Sequence, residues 1–231
     1  MKRFWTKVEV TSIPGGYGLT LDGRPMRLPG GGALTVQGAA MAAGVAAEWQ
    51  GVTGEFTWDS LPLTRLVGTA QDRIAPDPAP VVDALAVYGE TDLLCYRAED
   101  PRLAARQAAT WDPLLDWAAD TLGARLRVTQ GVMPVAQDPV ALAALHAAVA
   151  RQDAWSLAAL GILVPSLGSL VLALALVEGR LSVTEALAAA RIDEAFQQDF
   201  WGVDAEADAR AEAVAADVAL AAHLFALSRE A

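Results

Sequence analysis

Residues 62–73 read Pro-Leu-Thr-Arg-Leu-Val-Gly-Thr-Ala-Gln-Asp-Arg, and at this point the spacing of apolar residues changes. Leu63, Leu66, Val67 and Ala70 recur with the period of one face of an α-helix. Upstream, apolar residues alternate with polar ones, as they do in strands. The change predicts an α+β protein, with a small β-rich N-terminal domain over residues 1–60 and a larger, mainly α-helical C-terminal domain over residues 61–231.

A β-hairpin is predicted inside the first domain. Leu19 and Leu21 share one face of a strand, because alternate side chains of a strand lie on the same side. The dipeptide Asp22-Gly23 follows directly and favours the tight turn that joins two antiparallel strands. Val8 and Val10, spaced in the same alternating way, predict a further strand upstream.

The composition restricts the class of protein. The chain has 231 residues, of which 54% are hydrophobic and 19% charged, and this excludes intrinsic disorder because enough apolar surface exists to offset the entropy lost on folding. The formal net charge of −11 argues against nucleic acid as a partner, since phosphate binding requires a basic face. The single cysteine, Cys95, excludes an internal disulfide framework. With strand-like sequence beginning at the first residues and no leader before it, we expect a cytoplasmic protein.

Helix starts are predicted in the second domain from local capping signals. Asp112-Pro113 and Asp138-Pro139 each combine an N-cap aspartate with proline at the first helical position. Ser182, followed three residues later by Glu185, is typical of a capping box. The last helix is predicted to begin near Asp204 and to run to Leu227.

Residues 154–177 form a run of 24 uncharged residues, which is long enough to cross a bilayer. Pro165 and Gly168 interrupt this run in its middle. We therefore expect two core helices, the second capped by Ser166 and stopped at Gly179, and no stable membrane insertion. A membrane-anchored protein that spans the bilayer at 154–177 is the alternative.

The motifs of common catalytic sites are missing from the sequence. There is no GxSxG, GxGxxG or GxxxxGK[ST] pattern, and the two histidines, His146 and His223, lie outside metal-binding motifs. Cys95 follows Leu93-Leu94, which predicts a buried, inert thiol. We therefore predict no catalytic residue, no cofactor and no metal site.

An acidic and aromatic segment is the strongest candidate site. It contains Asp193, Glu194 and Asp199 beside Phe196, Phe200 and Trp201. Aromatic side chains can anchor a protein partner while acids select a basic surface, so we favour protein binding. A hydrolase that uses Asp193, Glu194 and Asp199 as acid and base carboxylates is a second alternative.

A series of short motifs gives the chain a family resemblance. In order, they are Phe4-Trp5, Leu21-Asp22-Gly23-Arg24-Pro25, Pro62-Leu63-Thr64-Arg65-Leu66, Thr91-Asp92-Leu93-Leu94-Cys95-Tyr96-Arg97, Trp111-Asp112-Pro113-Leu114-Leu115, Gly168-Ser169-Leu170-Val171-Leu172-Ala173, and Asp193-Glu194 through Trp201-Gly202. Together they resemble the alpha-subunit-specific assembly chaperones of the ATP synthase F(1) sector, over about residues 3–205.

The resemblance implies a chaperone without enzymatic activity. Such a protein would bind the free F(1) alpha subunit and mask its beta-facing surface until the alpha/beta ring forms. Glu194 matches a family position associated with function, and we extend a partner-binding role to Asp193, Gln197 and Trp201.

Overall fold

The computed structural model describes residues 1–202 and 205–230, with the backbone alone at Trp201. The chain forms two compact units. The first contains Met1–Pro78, Asp153–Ala159 and Leu220–Ala231, and the second contains Ala79–Gln152 and Leu160–Ala219. The fold is α+β, as predicted, with a small antiparallel sheet near the N-terminus and a mainly helical remainder. The domain boundary after residue 60 stays a prediction.

The N-terminal sheet contains the predicted hairpin. Its strands are β1 (Val8–Ile13), β2 (Gly16–Leu21) and β3 (Arg24–Pro25), in the antiparallel order β1-β2-β3. Between β2 and β3, Asp22 and Gly23 have φ angles of +48° and +78°, the left-handed conformation that this tight turn requires. The Lys7 N–H donates to the Asp22 carboxylate at 2.8 Å, and this hydrogen bond lowers the pKa of Asp22 below its ordinary value.

Two helices follow the sheet in the first unit. They are α1 (Ala39–Gly51) and α2 (Pro62–Thr69), and α2 continues through a short π-helix over Ala70–Ile74. The helix predicted from the period after Pro62 is therefore confirmed. The Glu48 carboxylate of α1 accepts the N–H groups of Leu63 at 2.7 Å and Thr64 at 2.8 Å, so α1 supplies the hydrogen bonds that the first turn of α2 lacks.

The remaining helices are α3 (Ala79–Ala86), α4 (Pro101–Trp117), α5 (Pro139–Ala150), α6 (Ala154–Leu167), α7 (Leu170–Val177), α8 (Val183–Ala190), α9 (Ile192–Trp201) and α10 (Ala205–Arg229). Helices α6 and α10 contribute residues to both units. Two short strands, β4 (Tyr96–Arg97) and β5 (Thr129–Gln130), pair in parallel within the second unit. The predicted start of the last helix, Asp204, lies outside the described residues.

Helix α7 is the buried centre of the second unit, since all of its residues are buried. Its N-cap is Ser169, whose Oγ accepts the Leu172 N–H at 2.9 Å, so the prediction of Ser166 as N-cap is wrong. Helix α6 continues through Pro165 and ends at Leu167, and the next residue, Gly168, has a φ of +64°. Pro165 is tolerated because the carbonyl that it leaves without a helical partner, at Gly161, lies on an exposed part of the chain.

The uncharged run over residues 154–177 is not one helix. It forms α6, of 14 residues, and α7, of 8 residues, and each is too short to cross a bilayer, which requires about 20 residues. The alternative of a span at 154–177 is therefore wrong. Within residues 1–202 and 205–230, one helix, α10, is long and apolar enough to span by length and composition, criteria that core helices also meet.

Of the helix starts predicted at Asp112, Asp138 and Ser182, two are confirmed and one is wrong. Asp138 caps α5 and Ser182 caps α8 with Glu185 in a capping box, as predicted. Asp112-Pro113 lies inside α4 instead, and this helix begins after its N-cap Asp100. Trp111 holds this part of α4 in place, because its indole N–H donates to the Ala189 carbonyl at 2.9 Å inside the core. Packing has here overridden a local start signal.

Candidate functional site

Helix α9 carries the four residues predicted to bind a partner. Glu194 and Gln197 are exposed, whereas Asp193 is half-buried. Glu194 and Gln197 are three residues apart, so they lie on one side of the helix. Trp201 is the last residue of α9, and its side chain lies outside the described part of the structure.

Asp193 has a partner within the chain. The Gln107 side-chain amide donates to Asp193 Oδ1 at 2.7 Å, and the Gln107 Oε1 accepts the Ala98 N–H at 2.8 Å. Because Gln107 is buried, this bridge fixes α9 against α4 and the chain before it. Asp193 therefore has a structural role, and a direct contact with a partner stays a prediction.

The side of α9 that carries Asp193 also packs its aromatic residues against arginines of α4. The rings of Phe196 and Phe200 are 5.0 Å apart, and the Arg102 guanidinium lies 5.0 Å from the Phe200 ring. Arg106 lies 5.6 Å from the Phe196 ring and forms a salt bridge with Asp199 at 2.8 Å. The aromatic group thus serves partly to hold α9 on α4.

The three carboxylates of the hydrolase alternative have different environments. Asp193 accepts from Gln107 and Asp199 pairs with Arg106, while Glu194 has no hydrogen bond or ion pair with any described residue. Of the three, Glu194 alone lines the groove described next. The hydrolase alternative needs two of these carboxylates to face one substrate, and Asp193 and Asp199 do not line the groove with Glu194.

A groove with a volume of about 450 Å³ lies beside Glu194 in the second unit. It is formed by the end of α6, by α8 and α9, by the first half of α10, and by the short segment after α3. Apolar and small residues make up most of its lining, including Leu93, Leu167, Leu187, Ala190, Ala211 and Val214. Glu194 is the one acidic residue in this lining, which also contains two arginines, Arg191 and Arg210.

Asp92 fixes one wall of the groove. Its carboxylate is fully buried and accepts hydrogen bonds from the Leu94 N–H and from Ser169 at the junction of α6 and α7. The neighbouring Leu93 N–H donates to the Gly168 carbonyl at 3.2 Å, and both Leu93 and Gly168 line the groove. Burial raises the pKa of Asp92 above its ordinary value.

Sequence patterns gave no indication of this groove, because it depends on how four helices pack. The only available signal for Asp92 is its place in the motif Thr91 to Arg97, where an acid precedes three residues that are apolar or a cysteine. This motif singles out Asp92 but does not indicate what its carboxylate does. The structure gives the reason, because the carboxylate accepts hydrogen bonds from Ser169 and from the Val171 N–H at the start of α7.

The thiol of Cys95 is buried, as predicted, with 1% of the residue exposed. Burial raises its pKa to about 12, so it is not a nucleophile near neutral pH. Within residues 1–202 and 205–230, no group of three or more His, Cys, Asp and Glu residues is placed to hold a metal ion.

Comparisons with known proteins agree with the resemblance. The sequence model of the ATP12 chaperone protein family matches residues 2–119. The crystal structure of Atp12 from Paracoccus denitrificans is 44% identical, covers 99% of this chain and 98% of its own, and superimposes with a TM-score of 0.94. An aspartate-to-lysine variant of that protein matches equally well, at 44% identity and a TM-score of 0.94.

A third solved structure, of a candidate chaperone from Agrobacterium tumefaciens, is 39% identical, with 97% of this chain and 85% of that chain covered and a TM-score of 0.91. The likeness therefore extends over both compact units. The chain belongs to the ATP12 chaperone family, the ATP synthase assembly chaperones that its ordered motifs resemble.

Proposed function

We propose that this protein binds the free alpha subunit of the ATP synthase F(1) sector and covers its beta-facing surface until the alpha/beta ring forms. The observation that carries the proposal is Glu194, an exposed carboxylate without a partner among the described residues, at the edge of an apolar groove. In a chain of the ATP12 chaperone family, such a feature fits protein recognition.

The chemistry of the groove supports a temporary complex. An unassembled ring subunit exposes apolar surface that would otherwise aggregate, and an apolar groove can cover part of it. An exposed acid adds selectivity and speeds association with a basic surface more than it adds affinity. Moderate affinity allows the beta subunit to displace the chaperone by competition, without nucleotide hydrolysis.

The proposal assigns different parts to the residues of α9. Glu194 and Gln197 are exposed and can contact the alpha subunit directly. Asp193 orients the helix through Gln107, and Trp201 is placed by the sequence at the end of the same helix. The proposal includes no catalytic step, and it places the protein in the cytoplasm.

Size-exclusion chromatography with purified subunits tests the proposal. The protein is mixed with isolated alpha subunit and, separately, with isolated beta subunit. Co-migration with alpha and not with beta is expected, followed by release of the chaperone when beta is added to the alpha complex. Failure to co-migrate with alpha would overturn the proposal.

A further inference from the structure

Helix α9 is held in the second unit without a fully buried side chain among residues 192–200. Each of α1–α8 and α10 buries at least two apolar residues, and the neighbouring helix α8 buries Ala186 and Ala189. Over residues 192–200, in contrast, every residue is half-buried or exposed. Burial of apolar surface is the main force that holds a helix in a fold, so α9 is attached more weakly than its neighbours.

The arginine contacts between α9 and α4 lie near the surface. Arg106 pairs with Asp199 at 2.8 Å, and more than half of each of these side chains is exposed. Arg102 and Arg106 lie 5.0–5.7 Å from the rings of Phe196 and Phe200. Exposed ion pairs and exposed cation–π contacts each stabilise a structure only slightly, so these contacts position α9 without fastening it firmly.

The hydrogen bond from Gln107 to Asp193 is the deepest of these contacts, because Gln107 is buried. When α9 moves away from α4, both side chains gain access to water. Neither group is then left without a hydrogen-bonding partner, and the contact contributes only the small net free energy of an exchangeable hydrogen bond.

Another side of α9 faces the groove and has no closely packed neighbour. Glu194 and Gln198 line this groove of about 450 Å³, and Gln198 reaches Asp208 of α10 at 3.4 Å. Arg191 occupies the N-cap position of α9 and makes no capping hydrogen bond through its side chain. A helix of ten residues without a cap is not stable alone in water, so α9 unfolds when it leaves α4.

We infer that α9 opens separately from the rest of the second unit, by leaving α4 and unfolding, and that the alpha subunit captures it in its docked position. The capture rests on the proposed function. Segments with few buried apolar contacts open at a lower free energy than the core. Glu194 and Gln197 share one side only while α9 is helical, so a partner that contacts both binds the docked form and reduces the open population.

Amide hydrogen exchange followed by mass spectrometry tests the opening in the free protein. Helix α8 is the comparison, because its 8 residues, against 10 in α9, make it the less stable helix on length alone. We expect the amides of α9 to exchange at least about 30-fold faster than those of α8, after correction for their unfolded rates. Equal or greater protection of α9 would overturn the inference.

A variant of α4 tests whether the exposed contacts set the opening. Arg106→Met removes the salt bridge to Asp199 and keeps most of the side-chain stem, and we expect exchange in α9 to become about fivefold faster. Exchange in α7 and α8 should not change. If all three helices accelerate alike, or if α9 does not respond, the inference is wrong.

Arg125→Met is the matched control for Arg106→Met. Arg125 is exposed, lies outside α4 and α9, and has no hydrogen bond or ion pair with any described residue. The control removes the same charge, so exchange in α9 should stay as in the unmodified protein. Equal acceleration of α9 by both variants would assign the effect to net charge and contradict the inference.

Addition of isolated alpha subunit separates the capture from the proposed function. With alpha at about ten times its Kd, exchange in α9 should slow about tenfold, because alpha binds only the docked form. If alpha co-migrates with the protein but α9 exchanges at its former rate, the capture is wrong and the proposed function stands. If alpha does not bind, the proposed function and the capture both fail, whereas the measurements on the free protein still decide the opening.

Discussion

The Ser169 hydroxyl donates to the Asp92 carboxylate at 2.7 Å, and both residues are fully buried, with 0% of each exposed. The same carboxylate accepts the Val171 N–H at 3.0 Å, and Ser169 Oγ accepts the Leu172 N–H at 2.9 Å. The two side chains thus satisfy the first N–H groups of α7, a helix without an exposed residue. Burying the Asp92 charge is costly, and these hydrogen bonds together with the positive end of the helix dipole offset that cost.

Replacing Asp92 should destabilise the protein strongly. Asp92→Ala leaves the Val171 and Leu94 N–H groups and the Ser169 hydroxyl without their acceptor in a buried site. We expect the free energy of unfolding, measured in urea, to fall by about 3 kcal/mol.

Asp138 provides the matched control, since it caps α5 in a partly exposed position. Asp138→Ala should lower the free energy of unfolding by about 1 kcal/mol, the usual effect of losing an N-cap. Equal losses for Asp92→Ala and Asp138→Ala would show that burial of Asp92 adds nothing to a simple capping role.

Cys95 should be unreactive in the folded protein. Its thiol is buried, and a pKa of about 12 leaves almost no thiolate at pH 8. A thiol-specific chromogenic reagent at pH 8 is expected to label Cys95 only at the rate at which the protein unfolds, and to react within seconds once denaturant is added. Rapid stoichiometric labelling without denaturant would contradict the buried placement.

Reversing the charge of Glu194 should weaken the complex with the alpha subunit. Glu194→Lys places a cation where we propose that a basic group binds, so we expect at least about a tenfold rise in Kd. The thermal midpoint should stay nearly unchanged, because Glu194 is exposed and has no partner among the described residues. Glu212→Lys makes the same change in net charge elsewhere in the chain. Equal weakening by both variants would show that the net charge of the protein, and not the position of Glu194, determines the change in Kd.

Two glycines in the second unit should respond in opposite ways to alanine. Gly161 lies inside α6 and has nothing within 4 Å of the added Cβ, so Gly161→Ala should raise the free energy of unfolding by about 0.5–1 kcal/mol. Gly179 follows α7 with a φ of +72°, and Gly179→Ala should lower it by about 1 kcal/mol. Urea unfolding measures both, and a stabilising Gly179→Ala would contradict the left-handed conformation.

Local sequence signals predicted the features whose cause lies within a few residues. The Asp22-Gly23 turn, the Asp138 cap and the Ser182–Glu185 capping box are all as predicted. Each depends on hydrogen bonds or backbone angles among near neighbours, so the rest of the chain hardly affects it. The ordered motifs also indicated the family.

Tertiary structure decided everything that depends on residues far apart in the sequence. Pro113 and Pro165 lie inside helices because of packing and exposure that no local pattern encodes. Gln107 and Asp193, 86 positions apart, meet only because α9 lies on α4. The groove beside Glu194 likewise exists only once α6, α8, α9 and α10 are packed. The sequence by itself determined the fold class, the short-range turns and caps, and the family. Tertiary packing determined that Glu194 is the acid left exposed and without a partner among the described residues, because burial of apolar surface stabilises contacts whatever their separation along the chain.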